Sequence, residues 1–247
     1  VAMGKHSADP SHPRYKSLLM RQRLELAAKK GMLADSAMIA HGRGEAFDYL
    51  LGEVTIPPAM AATREVAARL LGANNPIISL NGNAIALAGK ELLQIANLLK
   101  CPVEVNIFYR TDKRMKALIS ELEQIKNQLG LDVEILGSNP NAKIPNLEGP
   151  RSNCCEEGII RSDVILVPLE DGDRCEALVA MGKDVLVIDL NPLSRTAKMA
   201  SVTIVDELTR VAVNLLNIIP ENPNISEWNN DDNLDSSVLH ILNSFSK

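Results

Sequence analysis

The segment IAHGRGEAFDYL, residues 39–50, places a histidine and an arginine among glycines in an otherwise helical stretch. Gly42 and Gly44 each cost about 1 kcal/mol in a helix interior relative to alanine, so we expect the helix to break there. A new helix would then begin beside His41 and Arg43, with free N–H groups and a positive dipole end. This arrangement predicts an anion site, above all for phosphate. The alternative is a tight corner between two packed helices, with the Arg43 side chain in solvent.

Polar residues follow four short apolar runs further along the chain, and each run is typical of a buried strand. They are Asn81-Gly82-Asn83, Tyr109-Arg110-Thr111, Glu170-Asp171-Gly172-Asp173-Arg174 and residues 191–196. In a parallel sheet these ends meet at one edge, which would bring together Arg110, Arg174, Arg195, Asp171, Asp173 and Asp189. Both signs of charge suit a magnesium-bound polyphosphate. The alternatives are ordinary turns and surface ion pairs of little energetic weight.

Two familiar nucleotide motifs are absent from the sequence. There is no G-x-x-x-x-G-K-[ST] loop and no G-x-G-x-x-G after a strand, so a nucleotide would need another contact region. The stretch DLNPLSRTAKMA offers one, since Asp189 could accept from ribose hydroxyls. Ser194, Arg195 and Thr196 open the next helix and could contact phosphates. A strand, a proline turn and a helix cap without any ligand would show the same pattern.

The chain divides into three parts by pattern, within one predicted α/β domain of residues 1–247. Residues 1–72 predict an N-terminal helical cap. Residues 76–218 alternate apolar runs with helical stretches, which predicts a mostly parallel sheet with helices on both faces. Residues 219–247 predict a polar linker and a short helix from about Ser236, which should dock on its own domain or on a partner subunit. The apolar positions of that helix are Val238, Leu239, Ile241, Leu242 and Phe245.

Composition excludes several classes of function. The 247 residues are 46% hydrophobic and carry a net charge of −5 without a long basic run, so we expect no nucleic-acid partner. No apolar run approaches membrane-spanning length and the N-terminal residues lack a signal-peptide core, so we expect no membrane contact and a cytoplasmic location. The four cysteines form no C-x-x-C pair, and we interpret them as reduced thiols without a metal.

Several long motifs resemble those of the archaeal phosphopantothenate synthetase family. They are SHPRYKSLLMRQRL, KGMLADSAMIAHGRGEAFDYLLGE, LNGNAIAL, EVNIFYRT, VPLEDGDRCEALVAMGK and IDLNPLSRTA, in the expected order between about residues 12 and 208. The resemblance implies condensation of 4-phosphopantoate with β-alanine to 4′-phosphopantothenate, with ATP cleaved to AMP and pyrophosphate through an acyl adenylate. It also implies a homodimer. Together with the alternating pattern, it predicts a Rossmann-like α/β fold.

The family's ATP-binding residues match positions of this sequence. They correspond to Arg21, Arg43, Asp189, Leu190, Asn191, Arg195 and Thr196. The family's Asp-Asn-Ile stretch reads Asp206-Glu207-Leu208 here, so an asparagine contact is lost at 207 while backbone contacts of Glu207 and Leu208 can remain.

The remaining roles are assigned from chemistry. We expect Arg43 and His41 to stabilise charge when the pantoate carboxylate attacks the α-phosphorus. Asp171 and Asp173 are candidate Mg²⁺ ligands, direct or through water. Strand-end positions favour pantoate and its phosphate as ligands of Asn81, Asn83, Arg110 and Arg174. Two other classes stay open from the residues alone: a nucleotide-binding regulatory protein without turnover, and a dehydrogenase, which the missing glycine motif disfavours.

Overall fold

The computed structural model of the protein describes residues 9–244. Three helices come first: α1 (Tyr15–Lys29), α2 (Ala37–Leu51) and α3 (Pro57–Gly72). Strands and helices then alternate: β1 (Pro76–Leu80), α4 (Gly82–Leu99), β2 (Val103–Val105), α5 (Asp112–Leu129), β3 (Ile135–Leu136), β4 (Ala142–Lys143), β5 (Asn153–Cys154), β6 (Val164–Pro168), α6 (Gly172–Ala180), β7 (Asp184–Ile188), α7 (Arg195–Met199), β8 (Val202–Ile204), α8 (Leu208–Ile218) and α9 (Asn230–Ser244). Short 3₁₀ turns span Pro150–Ser152 and Ile219–Glu221, and a π turn spans Glu156–Ile160.

The main sheet has the strand order of a Rossmann fold. Its six strands lie in the order β3-β2-β1-β6-β7-β8, and β4 pairs with β5 in a separate small ribbon. Every neighbouring pair in the main sheet is parallel; Ile78, for example, lies opposite Val103 on one side and Leu166 on the other. The direction of winding reverses between β1 and β6, which opens a crevice at the carboxyl ends of these strands.

Each face of the sheet packs against its own hydrophobic core. In β6, Leu166 points into the larger core with residues of α3, α4, α5 and α8, whereas Ile165 and Val167 point into a smaller core with Leu178 of α6. This alternation follows from the two-residue period of a strand. The predicted Rossmann-like α/β fold with helices on both faces is confirmed.

Helix α2 runs through both glycines, so the predicted helix break is wrong. The helix ends instead at Gly52, which has the left-handed φ of 82°. A Cβ at Gly44 would lie 3.4 Å from Leu190 Cδ1, so glycine allows this helix to approach the loop after β7 closely. Burial of Ala37 and Leu51, with the ion pairs of Glu45 and Asp48, offsets the low helix propensity of glycine. The predicted helix N-terminus for an anion is therefore absent at this position.

The C-terminal helix begins at Asn230, earlier than the predicted Ser236. Its first turns bind strand β8, because Thr203 N donates to Asn230 Oδ1 at 2.8 Å and Asn233 Nδ2 donates to Thr203 O at 3.3 Å. Of the two predicted alternatives, docking on its own domain is thus observed. Leu239 and Leu242 stay exposed, and Phe245 lies outside the described residues.

The predicted three-part division of the chain remains a prediction. Its outermost residues, 1–8 and 245–247, lie outside the described part of the chain. Helix α3, the last of the predicted cap, packs directly against α8 and β8. The helical N-terminal part is therefore joined to the sheet through one shared core.

Candidate active site

An open cleft lies at the carboxyl ends of the strands, where the winding reverses. Its floor includes Asn81 and Gly82 after β1, Leu169 after β6, Leu190 after β7 and Glu207 after β8. Helix α2 forms one wall. This is the place where open α/β sheets bind ligands.

Asn81 joins the two strands at the reversal point. Its Oδ1 accepts from Ala84 N at 3.0 Å, while its Nδ2 donates to Pro168 O at 2.9 Å and to Leu169 O at 3.0 Å. Leu169 has a φ of 55°, an uncommon left-handed conformation for leucine. Both predicted asparagines line the cleft, but the Asn83 amide donates to Ala37 O at 3.1 Å. The side-chain N–H groups of Asn81 are used to shape the cleft.

Helix α2 turns one stripe of residues toward the cleft: Ala37, Ala40, His41, Gly44, Glu45 and Asp48. The small members of this stripe leave room for a ligand. His41 Nε2 is buried and has no hydrogen-bond partner among the described residues. Burial lowers the pKa of His41 below its ordinary value, against the opposing effect of the Glu45 and Glu207 carboxylates. The lowered pKa favours the neutral imidazole form of His41.

Glu45 holds the predicted ATP ligand Arg21 in an ion pair. Arg21 Nη2 lies 2.5 Å from Glu45 Oε2, and Ser17 Oγ also donates to this carboxylate. Burial raises the pKa of Glu45, but the hydrogen bonds from Arg21 and Ser17 lower it by more than burial raises it. The resulting pKa is below the ordinary value. Arg21 is 38% exposed beside the cleft and is not part of its lining.

A second ion-pair cluster fixes α2 to α8. Arg210 Nη2 lies 2.5 Å from Asp48 Oδ1 and 2.6 Å from Asp206 Oδ1. These bonds raise the pKa of the Arg210 guanidinium, although burial opposes them. The first residue of the Asp206-Glu207-Leu208 stretch is therefore structural, whereas Glu207 and Leu208 line the cleft.

The loop after β7 is pre-shaped by Asp189. This carboxylate accepts from Ser194 Oγ at 2.5 Å and from Asn191 N at 3.0 Å, and its burial raises the pKa of Asp189. Ser194 in turn caps α7. Leu190 lines the cleft, while Asp189 and Asn191 stand behind it.

Two further predicted ATP ligands of this loop lie outside the cleft lining. Thr196 is buried, and its Oγ1 donates to Glu170 O at 3.1 Å. Arg195 is exposed and pairs with Asp173 at 2.5 Å and with Glu176 at 3.2 Å.

The residues of the expected mixed-charge crevice are paired with one another or with neighbours, and Arg174 belongs to an internal ion pair. Arg174 is fully buried; it pairs with Glu170 and donates to Ser79 Oγ at 2.8 Å. Its guanidinium offers no surface to a ligand, which corrects the prediction that Arg174 contacts the substrate. Arg151 pairs with Asp171 at 2.6 Å and with Glu170 at 2.7 Å.

The two aspartates predicted as Mg²⁺ ligands are engaged elsewhere. Asp171 caps α6 and pairs with Arg151, and Asp173 pairs with Arg195. Within residues 9–244, no group of three or more His, Cys, Asp or Glu side chains is arranged to hold a metal. The residues present do not form a resident Mg²⁺ site.

Two predicted arginines face away from the cleft. Arg43 is exposed on α2, on a different side of the helix from the lining stripe. Arg110 Nη2 donates to Gly137 O at 2.7 Å, beyond the cleft lining. Neither residue touches the lined volume in this structure.

Sequence reasoning missed two arginines that do line the cleft, Arg114 and Arg151. Arg114 lies in the first turn of α5, three residues after the cap Thr111. The polar residues that directly follow β2 end at Thr111, so they do not include Arg114. Arg151 lies in a 3₁₀ turn that no strand or helix pattern marks. Exposed Phe108 and Tyr109 stack edge to face at the cleft mouth, with ring centroids 5.0 Å apart.

The four cysteines form no disulfide in the structure, and all are buried. Burial raises the pKa of Cys101, Cys154 and Cys175 to about 12, which makes these thiols unreactive.

Among the described helices, none combines the length and the apolar character required to cross a membrane.

The strand order and the cleft define a Rossmann-like α/β protein with an open cleft at the reversal point of the sheet, the usual ligand position in such folds. The sequence profile of the phosphopantothenate/pantothenate synthetase family matches residues 58–243. The chain belongs to this family.

Curated relatives match nearly the whole chain. A 4-phosphopantoate–β-alanine ligase of Thermococcus onnurineus is 47% identical over 96% of this chain and 93% of its own length. The ligase of Thermococcus kodakarensis is 47% identical over 94% of this chain and 90% of its own length. That of Methanosarcina mazei is 48% identical over 85% of this chain and 81% of its own length. The predicted family resemblance is confirmed.

Proposed function

We propose that this chain is an ATP-dependent ligase that joins 4-phosphopantoate to β-alanine, in coenzyme A synthesis. The observation that carries the proposal is the identity of nearly half of all residues with ligases of that name over most of both chains. The cleft supports it, because it lies at the carboxyl ends of the strands, where open α/β sheets bind their ligands.

The reaction has two balanced steps. A carboxylate oxygen of 4-phosphopantoate attacks the α-phosphorus of ATP, and pyrophosphate leaves with the electrons of the broken P–O bond. The β-alanine amine then attacks the acyl carbon of the adenylate, loses a proton and expels AMP. The carboxylate oxygen that bridged carbon and phosphorus departs with AMP.

ATP is proposed to lie over the loops after β7 and β8. Leu190, Glu207 and Leu208 already line this side of the cleft. Arg195 is held there by carboxylates that are 75% and 60% exposed, and such exposed ion pairs are weak because water screens them. A triphosphate competes well for such an arginine, so we retain Arg195 and Thr196 as proposed ATP contacts.

The other proposed ATP contacts lie behind or beside this lining. Asp189 and Asn191 shape the loop, and Arg21 stands at the end of the cleft beside Glu45. Arg43 is retained from the family pattern alone, since its side chain points to solvent here.

His41 is proposed to take the proton that β-alanine must lose. Its neutral imidazole and unpartnered Nε2 on the cleft wall suit a base better than a positively charged partner of phosphate. The role assigned from sequence, stabilisation of phosphate charge, is thereby replaced by proton transfer from the amine.

Magnesium is proposed to arrive with ATP, because Glu45, Asp48 and Asp171 are already paired with arginines. Bound to ATP, Mg²⁺ would supply charge neutralisation at the phosphates. Asp171 and Asp173 remain predicted contacts through water only.

A homodimer is proposed through α2 and α9, which contact each other. Both helices expose large apolar side chains, with Ile39 at 67% and Leu239 and Leu242 at 55% exposure. A second copy of the chain would cover them. The cytoplasmic location also remains a prediction, consistent with substrates drawn from central metabolism.

The test is product analysis with purified protein, ATP, Mg²⁺, 4-phosphopantoate and β-alanine. We expect 4′-phosphopantothenate, AMP and pyrophosphate in equal amounts, and no AMP when 4-phosphopantoate is omitted. A regulatory nucleotide-binding protein would bind ATP and release no AMP. That result would overturn the proposal.

A further inference from the structure

Arg114 occupies an unusual position on the cleft wall. Its Nε and Nη2 donate to Met32 O at 3.3 and 3.2 Å, and its Nη1 donates to Tyr109 O. These partners are carbonyl groups of the α1–α2 connection and of the chain after β2. They fix the plane of the guanidinium and leave its positive charge uncompensated.

Three other arginines near the cleft have carboxylate partners. Arg151 pairs with Asp171, Arg21 with Glu45 and Arg210 with Asp48. Burial lowers the pKa of Arg114, and no carboxylate of the described residues offsets this effect. Within residues 9–244, Arg114 is therefore the arginine of the cleft lining whose observed hydrogen bonds go only to uncharged groups.

The position of Arg114 separates it from the proposed nucleotide loops. In the sheet, β2 and β1 lie on one side of the reversal point, and β6, β7 and β8 lie on the other. Tyr109 and Arg114 follow β2, whereas Leu190 and Glu207 follow β7 and β8. An anion beside Arg114 therefore belongs to the substrate that is not the nucleotide.

The first turn of α4 adds room at this corner. Gly82 begins this 18-residue helix, and a Cβ there would lie 3.0 Å from Met32 O and 3.4 Å from Arg114 Nη2. A side chain at 82 would crowd the guanidinium, and glycine avoids this beside the first backbone N–H groups of the helix. A phosphate monoester carries about −1.5 to −2 charges at pH 7 and is matched to this corner.

We propose that Arg114 binds the phosphate of 4-phosphopantoate and thereby selects the phosphorylated acid over pantoate. This inference rests on the proposed ligase function. The phosphate and the carboxylate lie at opposite ends of the pantoate skeleton. With the phosphate at Arg114, the carboxylate extends toward the centre of the cleft, where it meets the α-phosphorus of ATP.

The experiment compares two substrates in three variants. Arg114→Met removes the guanidinium, Arg114→Lys keeps a charge without the planar fork, and Lys113→Met removes an exposed charge one residue away. We measure kcat/KM for 4-phosphopantoate and for pantoate, and the dissociation constant of 4-phosphopantoate by calorimetry.

We expect Arg114→Met to lower kcat/KM and the affinity for 4-phosphopantoate about 100-fold, the effect of a lost hydrogen-bonded charge pair. The kcat/KM for pantoate should change less than about threefold, because pantoate has no phosphate to lose. For Arg114→Lys, kcat/KM and affinity for 4-phosphopantoate should lie between those of Arg114→Met and the wild type. Lys113→Met should match the wild type in both.

Two results would overturn the assignment. Parallel losses for both substrates with a lower melting temperature would show that Arg114 only holds Met32 and Tyr109 in place. Unchanged affinity for 4-phosphopantoate would show that the phosphate binds elsewhere. If the wild type makes no product yet binds 4-phosphopantoate through Arg114, the ligase proposal fails and the binding site stands; if the wild type binds no 4-phosphopantoate, both fail.

Discussion

At the scale of single residues, the state of His41 decides whether it can act as a base. A base must be neutral before it takes a proton, and burial lowers the pKa of His41 below its ordinary value of 6.5. The active form is therefore present at pH 7 and is lost as the pH falls through this lowered pKa. Activity should accordingly persist to a more acidic pH than an exposed histidine would permit.

The corresponding variant is His41→Gln, which keeps a polar side chain and cannot take the proton. We expect kcat to fall about 100-fold or more, and the acid limb of its pH profile to disappear. His12→Gln, which changes an exposed histidine, is the control. A normal acid limb in His41→Gln would assign that limb to another group.

Individual residues also show where sequence reasoning stops. His41, Asn81, Asn83, Leu190, Glu207 and Leu208 are predicted from the sequence and line the cleft. Arg174 is not distinguishable from a ligand by sequence, because its burial depends on Glu170 and on Ser79 of β1, 95 positions away. The sequence shows that charged residues follow the strands. Whether such a residue can bind a ligand depends on its partners in the folded protein, which the sequence does not show.

At the scale of elements, α2 shows that packing can override helix propensity. Two glycines predict a break, but the helix continues because one face is buried against the loop after β7 and neighbouring helices. The strands and most helices are predictable from their periods. The end of α2 and the early start of α9 are not, since both depend on tertiary contacts.

The two glycines of α2 give a matched pair of variants. A methyl group added at Gly42 would meet no atom within 4 Å, so Gly42→Ala should stabilise the helix by up to about 1 kcal/mol and raise Tm by about 2–4 °C. Gly44→Val should instead press on Leu190 and raise the KM for ATP about tenfold, an order set by a modest loss of about 1.4 kcal/mol.

Thermal melts and ATP kinetics of both variants decide the point. If Gly42→Ala lowers Tm and abolishes activity, the chain at 42 is not helical, and a broken helix with an anion site would stand instead. If both variants changed the KM for ATP equally, the assigned contact between α2 and the loop after β7 would be contradicted.

At the scale of the whole molecule, the proposed dimer surface makes a simple prediction. Replacing Leu239 and Leu242 together by Glu should yield monomers in sedimentation experiments, because charges would enter the interface of α2 and α9. Tm of the isolated subunit should barely change, since both side chains are 55% exposed. Leu98→Glu, at 47% exposure near the end of α4, is the control. A wild-type monomer, or an unchanged dimer in the double variant, contradicts the proposed surface.

The central claim is that the cleft joins a carboxylate to an amine through an acyl adenylate. The closest rival is an acyl phosphate, which would form from the same substrates and release ADP and phosphate. The most direct measurement uses 4-phosphopantoate labelled with ¹⁸O in its carboxylate, followed by mass analysis of the nucleotide product. The account predicts one labelled oxygen in AMP, because the amine expels the bridging oxygen together with the adenylate. Label in inorganic phosphate, with ADP as the nucleotide product, would contradict it.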